Sequence, residues 1–270
     1  MRVGYCVPVM PQLASYRLRV AIPANHLGCS YSIGTTGNPS FFFKNGNVRL
    51  AEHLSGGVVY DVVNDHFTGK QAADYHGMCG IADTITVATP YMAGVVMEHT
   101  GRESTVIDDP YENNEQPPRV YGNGVTWFGH SANMGSLVPQ LEAVDEAGGT
   151  LVVCSNTSTA HLAWSRAAED QCLAGCAVAL LTCSSPGASA NRVVKALRAG
   201  RFVVAPHGSA DAWDEFLEYI WIGDVAEGIK WAFNNREEAC QKIKQGQEFA
   251  AERFSPATVG RKWTEVFQTV

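Results

Sequence analysis

GASANRVVKALRAGRFVVAPHG, residues 187–208, reads in order as a loop of small residues, a basic-faced helix, a glycine stop and a buried strand. Gly187, Ala188 and Ser189 keep side chains away from the backbone, so the helix that follows presents unpaired amides and the positive end of its dipole to an anion. Asn191 and Arg192 add side-chain donors at the same end. Val193, Val194 and Leu197 supply an apolar face at helical spacing, and Gly200 ends the helix. Phe202-Val203-Val204-Ala205 is the continuous apolar run of a parallel strand buried on both faces. Such a unit is shaped to hold a phosphate; the plainer reading is one more αβ repeat of a parallel sheet.

The same alternation extends in both directions. Strands are expected at 2–8, 29–35, 57–63, 84–89 and 104–108, separated by helices near 13–27, 47–54, 69–82 and 90–100. Residues 108–124, DDPYENNEQPPRVYGNG, are polar, proline-bearing and free of apolar periodicity, and read as a linker. Strands at 125–129, 150–155, 177–183 and 201–206 then alternate with helices near 136–147, 159–174 and 190–199. From Asp211 the chain is mainly helical, apart from a short strand at 221–223. The expected fold is therefore α/β, with two Rossmann-like domains facing across a cleft. Residues 1–112 form the first, 113–124 the linker and 125–254 the second; 255–270 form a C-terminal helix crossing back to the first domain. Ligands of such sheets bind at the carboxyl ends of the strands. That rule singles out Asn64-Asp65-His66, His130-Ser131, Asn156, Ser184 to Ser189 and His207-Gly208.

Composition sets outer bounds. A chain of 270 residues with 46% hydrophobic content suits two compact domains of about 100–150 residues each. The formal net charge of −7 gives no global attraction to nucleic acid or an anionic membrane. Near the start, the apolar stretch GYCVPVMPQL is short and broken by two prolines, so neither a secretion signal nor a membrane span is expected, and the protein is read as cytoplasmic. Of eight cysteines, Cys6, Cys154 and Cys183 lie in apolar strand-like runs, where free thiols behave as small hydrophobes. Cys172 and Cys176, four apart on an expected helix, have no nearby Cys or His pair to complete a zinc site.

Several stretches together resemble the compact glycosyltransferases of the GT-B fold, related to the retaining nucleotide-sugar enzymes. In the first domain these are VVYDVVNDHF (58–67), ADTITVATPYMAGVV (82–96) and STVIDDPYE (104–112). In the second they are VTWFGHSANMGSL (125–137) and ANRVVKALRAGRFVVAP (190–206), similar to the family's helix, glycine and strand beside the donor diphosphate. RFSPATVGRKWTEVF (253–267) looks like the terminal crossing helix. Two glutamates eight apart, common in the family, fall here on Gly187 and Lys195. The usual Arg and Lys after the first strand of the second domain are also missing, and His130 stands near the Arg position.

The resemblance implies a hexosyltransferase-like enzyme moving a sugar from a nucleoside-diphosphate sugar, such as a UDP-sugar, to a hydroxyl acceptor. The donor is a co-substrate and no further cofactor is expected. Donor contacts are assigned to Ser131, Gly187, Ser189, Asn191, Arg192, Lys195 and His207, and catalytic contacts to His130, Asp65 and His66. Donors aimed at the departing phosphate stabilise its charge, so no metal is required. Asp108-Asp109 are the alternative metal carboxylates. An inverting enzyme would use Asp65 or His66 as base; a retaining one, which the resemblance favours, would pass the proton to the leaving phosphate. Asp65 could instead cap a helix and His66 could be a core histidine. Arg17 and Arg19 are candidate phosphate or acceptor contacts, with a solvated helix face the plainer account for one of them. The acceptor is open among a small molecule, a protein, a lipid-linked sugar and hydroxymethylated DNA. DNA calls for a basic strip near Arg17, Arg19, Lys44, Arg49 and Lys70.

Three other readings compete. Gly129-His130-Ser131-Ala132-Asn133 approaches a hydrolase G-x-S-x-G, but the second glycine is missing and no histidine follows Asp211 or Asp214 to complete a triad with Ser131. The missing glutamates suit a non-catalytic nucleotide-sugar-binding or regulatory protein. An epimerase could share the fold.

Overall fold

The computed structural model describes residues 3–6, 13–28, 39–44, 46–54, 56–183 and 185–270. The expected strand at 29–35, Cys29 and Ser184 lie outside them. The chain divides into two compact units, Met1–Glu112 with Arg253–Val270, and Asn113–Glu252.

The first unit holds five parallel strands, β1 (Gly4–Cys6), β2 (Ser40–Phe43), β3 (Val58–Val62), β4 (Thr84–Val87) and β5 (Thr105–Val106), in that spatial order. β2 was not among the expected strands. Its phenylalanines alternate as strand side chains must: Phe41 and Phe43 enter one apolar layer, Phe42 the other. On the Phe42 side, Tyr60, Val62 and Ile85 pack with Tyr75, Met78, Met92 and Val96 from the helices Ala72–Ile81 and Pro90–Thr100. Thr89 starts the second of these helices by accepting from Met92 N–H, Pro90 occupies its first turn, and Gly101 closes it at φ 68°. On the Phe41 side, Val20 and Ala24 pack with Trp263 and Phe267 of the terminal helix Pro256–Gln268. The Trp263 and Phe267 rings meet Phe41 edge-on at 5.3 and 6.1 Å. The terminal helix is thus part of the first unit's core, as the sequence led us to expect.

The second unit carries six parallel strands, β6 (Gly124–Phe128), β7 (Thr150–Ser155), β8 (Leu162–Ala163), β9 (Val178–Leu180), β10 (Phe202–Ala205) and β11 (Trp221–Ile222), ordered β11-β10-β9-β6-β7-β8. The chain builds outward from β6 to β8, then returns to lay β9 on the other flank of β6. β6 and β9 therefore bracket the topological switch point, where doubly wound sheets bind ligands. β10 is buried at every residue and pairs with β9 through Phe202↔Val178.

One expected helix begins late. Residues 159–165 were read as the start of a helix; instead Leu162–Ala163 pair with Cys154 and Ser155, and Trp164 N–H donates to Ser155 O. The helix runs Arg166–Ala174, because Ser165 caps it by accepting from Ala168 N–H. Cys176 consequently lies beyond this helix, which carries only Cys172.

From Asn113 the polar segment lies along the second unit. Asn113 Nδ2 donates to Lys195 O at 3.0 Å, and Gln116 and Arg119 N–H donate to Arg198 O and Gly200 O at 2.7 and 2.9 Å. Gly200 ends the helix Asn191–Arg198 at φ 75°, and a Cβ there would sit 2.2 Å from Pro117 O. Both the left-handed backbone and the backbone clash oppose any side chain. Gly200→Ala is expected to destabilise this unit by about 2–3 kcal/mol, read from urea unfolding of the full chain; unchanged stability would refute the close approach.

Candidate functional site

The ends of β6 and β9 are joined by side chains that fix the switch point. Trp127 Nε1 and Ser136 Oγ both donate to Thr182 Oγ1 at 2.9 Å. Arg192 Nη2 donates to Thr182 O at 2.7 Å, and Nη1 reaches Phe128 O at 3.4 Å. The guanidinium lies 5.5 Å over the Trp213 ring, whose Nε1 in turn donates to Ser189 O at 3.2 Å. Trp213 is fully buried, so it seats both the arginine and the small-residue loop. Gly129 permits the approach: a Cβ there would come within 3.2 Å of Arg192 Nη1.

Arg192 is half-buried, and desolvation lowers its pKa, countered by its contact with the Cys183 thiol and by the more distant Glu169. A guanidinium stays protonated in such a place. Among the described residues, no acidic side chain lies within 4.0 Å of it. The result is a fixed positive charge held by carbonyl oxygens at the switch point. The helix Asn191–Arg198 begins beside it with no side-chain cap on its first amides, and Gly187, Ser189 and Asn191 are all half-buried there. Cys183 is half-buried, its thiol donating to Ser185 O at 3.1 Å, and is not the interior hydrophobe expected. Burial raises Cys154 to about 11 and Cys176 to about 12, so neither supplies a thiolate near neutral pH.

His130 and Ser131 follow β6, and Asn156 follows β7. Ser131 N–H donates to Asn156 Oδ1 at 2.7 Å, and the His130 ring contacts Asn156 Nδ2 at 3.2 Å. His207, exposed after β10, stands near Gly223, whose Cβ would lie 3.6 Å from its Nε2.

Lys195 turns elsewhere. It is 8% exposed and forms a close ion pair with Glu169, itself held by Trp164 Nε1 at 2.8 Å. In the first unit, Asp65 is exposed and accepts from Phe67 N–H at 3.3 Å, closing a turn after β3; the helix that follows is preceded by Gln71. His66 is half-buried, its ring edge-on to Tyr75 at 5.4 Å.

Neither arginine of the first long helical segment presents a solvated face. Arg17 binds Glu112 through two bonds of 2.7 and 2.8 Å. Arg19, 1% exposed, binds Asp61 and the carbonyl of Ile107. The physical reason is pairing: each of these two guanidinium groups is held against a carboxylate. The basic strip that a DNA acceptor calls for thereby loses Arg17 and Arg19 and keeps Lys44, Arg49 and Lys70. Asp108 accepts from Arg253 and Lys262 at 3.2 and 2.7 Å, and Asp109 lies 3.5 Å from Arg19. Among the described residues, no group of three or more metal-binding side chains is present, and no helix is long and apolar enough to cross a membrane.

Sequence reasoning did not find Thr182, Trp213 or Glu169. Each acts through a partner distant in the chain, and none carries a local motif.

No protein-family profile matches the chain, and no curated protein matches it by sequence. Solved structures do match in fold. HepE of Anabaena, in complex with UDP and glucose, superposes at TM-score 0.75 with 13% identity over 100% of both chains. WaaG, a glycosyltransferase involved in lipopolysaccharide biosynthesis, gives 0.64 with 10% identity over 98% of this chain and 99% of its own. Sucrose-phosphate synthase from Thermosynechococcus elongatus gives 0.62 with 9% identity over 97% and 80%. The chain has the GT-B fold.

Proposed function

We propose that this GT-B chain is a hexosyltransferase that moves a sugar from a uridine diphosphate sugar to a hydroxyl acceptor. The observation that carries the reading is Arg192, a permanent cation with no acidic partner within 4.0 Å among the described residues, anchored on the carbonyls of Phe128 and Thr182 at the switch point. HepE, similar in fold over its whole length, binds UDP and UDP-glucose.

In the step envisaged, the bond between sugar C1 and the diphosphate oxygen breaks with its electron pair going to that oxygen. Arg192 and the uncapped amides before Val193 offset the developing charge, so this reading needs no metal ion. C1 bonds to the acceptor oxygen on the face the phosphate leaves, which retains configuration, and the acceptor proton passes to the leaving phosphate. Ser131, Gly187, Ser189 and Asn191 line the phosphate side and His207 the nucleoside side. His130, in the loop after β6, stands beside Ser131 on that phosphate side. Asp65 and His66, which follow β3, are the proposed contacts for sugar or acceptor. Lys195, tied to Glu169, drops out of the donor set. With Arg17 and Arg19 in internal ion pairs, a small soluble acceptor fits better than DNA. A cytoplasmic nucleotide-sugar pool would supply the donor.

Thermal unfolding in the presence of UDP, UDP-glucose, GDP and glucose tests this. UDP at about 100 times its Kd stabilises the folded state by about 2.7 kcal/mol, whereas free glucose leaves the transition in place. No shift with any nucleoside diphosphate at millimolar concentration removes the reading.

A further inference from the structure

The hydrogen bonds of the loop after β6 do not close on themselves. Asn156 Oδ1 receives Ser131 N–H at 2.7 Å and Ser155 Oγ at 3.5 Å. Two donors on one oxygen fix the carboxamide's orientation and set Nδ2 3.2 Å from His130 Nε2. On the other side of the ring, Nδ1 accepts from Ala132 N–H at 3.2 Å. Nδ1 is therefore bare, and a neutral imidazole then carries its proton on Nε2. The consequence is that His130 Nε2–H meets Asn156 Nδ2–H, donor against donor. Turning either side chain away to relieve this gives up a backbone amide that it now satisfies. Both residues are exposed, so the pair is open to solvent. A single oxygen with excess negative charge satisfies both donors at once, by charge-assisted bonds.

We propose that His130 Nε2–H and Asn156 Nδ2–H form a two-donor clip for one phosphate oxygen of the nucleotide, which makes Asn156 a ligand-binding residue. The assignment of that phosphate to a nucleotide sugar rests on the function proposed above. His130 of the clip lies close to Arg192's anchor at Phe128 O, with only Gly129 between Phe128 and His130. The clip contributes two short-range donors where Arg192 contributes a fixed charge. His130 moves no proton in this role; it holds one on Nε2 for the ligand.

Two measurements test the clip. The first is the ring ¹⁵N spectrum of His130 in the unliganded wild type, which is expected to show the Nε2–H tautomer. The Nδ1–H tautomer would instead close a bond from Asn156 to Nε2 and overturn the proposal. The second is calorimetry with UDP and uridine. Asn156→Ala is expected to weaken UDP about tenfold and to leave uridine unchanged; unchanged UDP affinity overturns the clip. If Asn156→Ala does not fold, movement of the wild-type His130 Nε2 and Asn156 side-chain amide signals on adding UDP decides it. If the wild type binds neither UDP nor uridine, the nucleotide-sugar reading fails separately. Titration with inorganic pyrophosphate then decides the clip: movement of both side-chain signals upholds it, and still signals refute it.

Discussion

Arg192→Ala is expected to lower sugar transfer by a factor of about 10²–10³ and to abolish stabilisation by UDP, with the second unit still folded. The structural cost is the loss of two part-buried bonds, to Phe128 O and Thr182 O, and of the contact with the Trp213 ring. Losing such bonds costs about 1–3 kcal/mol. The functional cost is larger because this cation has no acidic neighbour within 4.0 Å among the described residues, so its field is available to a ligand. Arg192→Lys is expected to recover only part of the loss. An ammonium is a point charge that cannot span both carbonyls and still stack 5.5 Å over Trp213. Calorimetry with UDP and initial rates of donor turnover read these effects. UDP affinity for Arg192→Ala within a factor of about three of wild type would show that the diphosphate is held elsewhere.

How far the site was legible in the sequence depends on the range of the interactions. The 187–208 stretch could be read because each part of its role is local: small residues before a helix, apolar spacing along it, glycine after it, and an unbroken apolar strand. The structure places Arg192 at the switch point for the same reasons. Lys195 is one turn further along that helix, and nothing local distinguishes it. Its direction is set by Glu169 and Trp164, which come from the preceding helix and the edge of the sheet. β8 could not be read because two residues at a sheet edge carry no period. The Ser165 cap that starts the following helix was a visible signal, and it marks the end of that strand. β2 was legible in principle: PSFFFK is an aromatic run bounded by a proline, and its faces separate as soon as a strand is assumed. Arg17 and Arg19 were not. Their carboxylates lie 95 and 42 residues away, and only the fold brings them together.

Asp61→Asn and Arg19→Leu are each expected to destabilise the first unit by about 3–5 kcal/mol. Asp61 lies near the end of β3, fully buried, and its carboxylate accepts from Arg19 Nε at 3.0 Å and from Thr86 Oγ1 of β4 at 2.7 Å. Arg19 extends the network to the Ile107 carbonyl after β5 and to the Trp263 ring, 5.1 Å from the guanidinium. Attraction to Asp61, Asp109 and Asp108 raises the Arg19 pKa against the desolvation that opposes it. Removing either partner leaves the other as a buried charge, which is why the single variants are costly. The paired Arg19→Leu, Asp61→Asn variant removes both charges and is expected to lose clearly less than the two single losses added together. Hydrogen exchange of the β3 and β4 amides in the full chain resolves this, since it reports the first unit while the second remains folded. Additive losses would mean that the pair contributes nothing through its coupling, and that Arg19 acts only by filling space between Trp263 and the sheet. Non-additive losses would show that a single ion pair fastens the terminal helix and the early helical segment to the strand leading into Asp65 and His66, so that the loop after β3 inherits its position from a charge buried four residues before it.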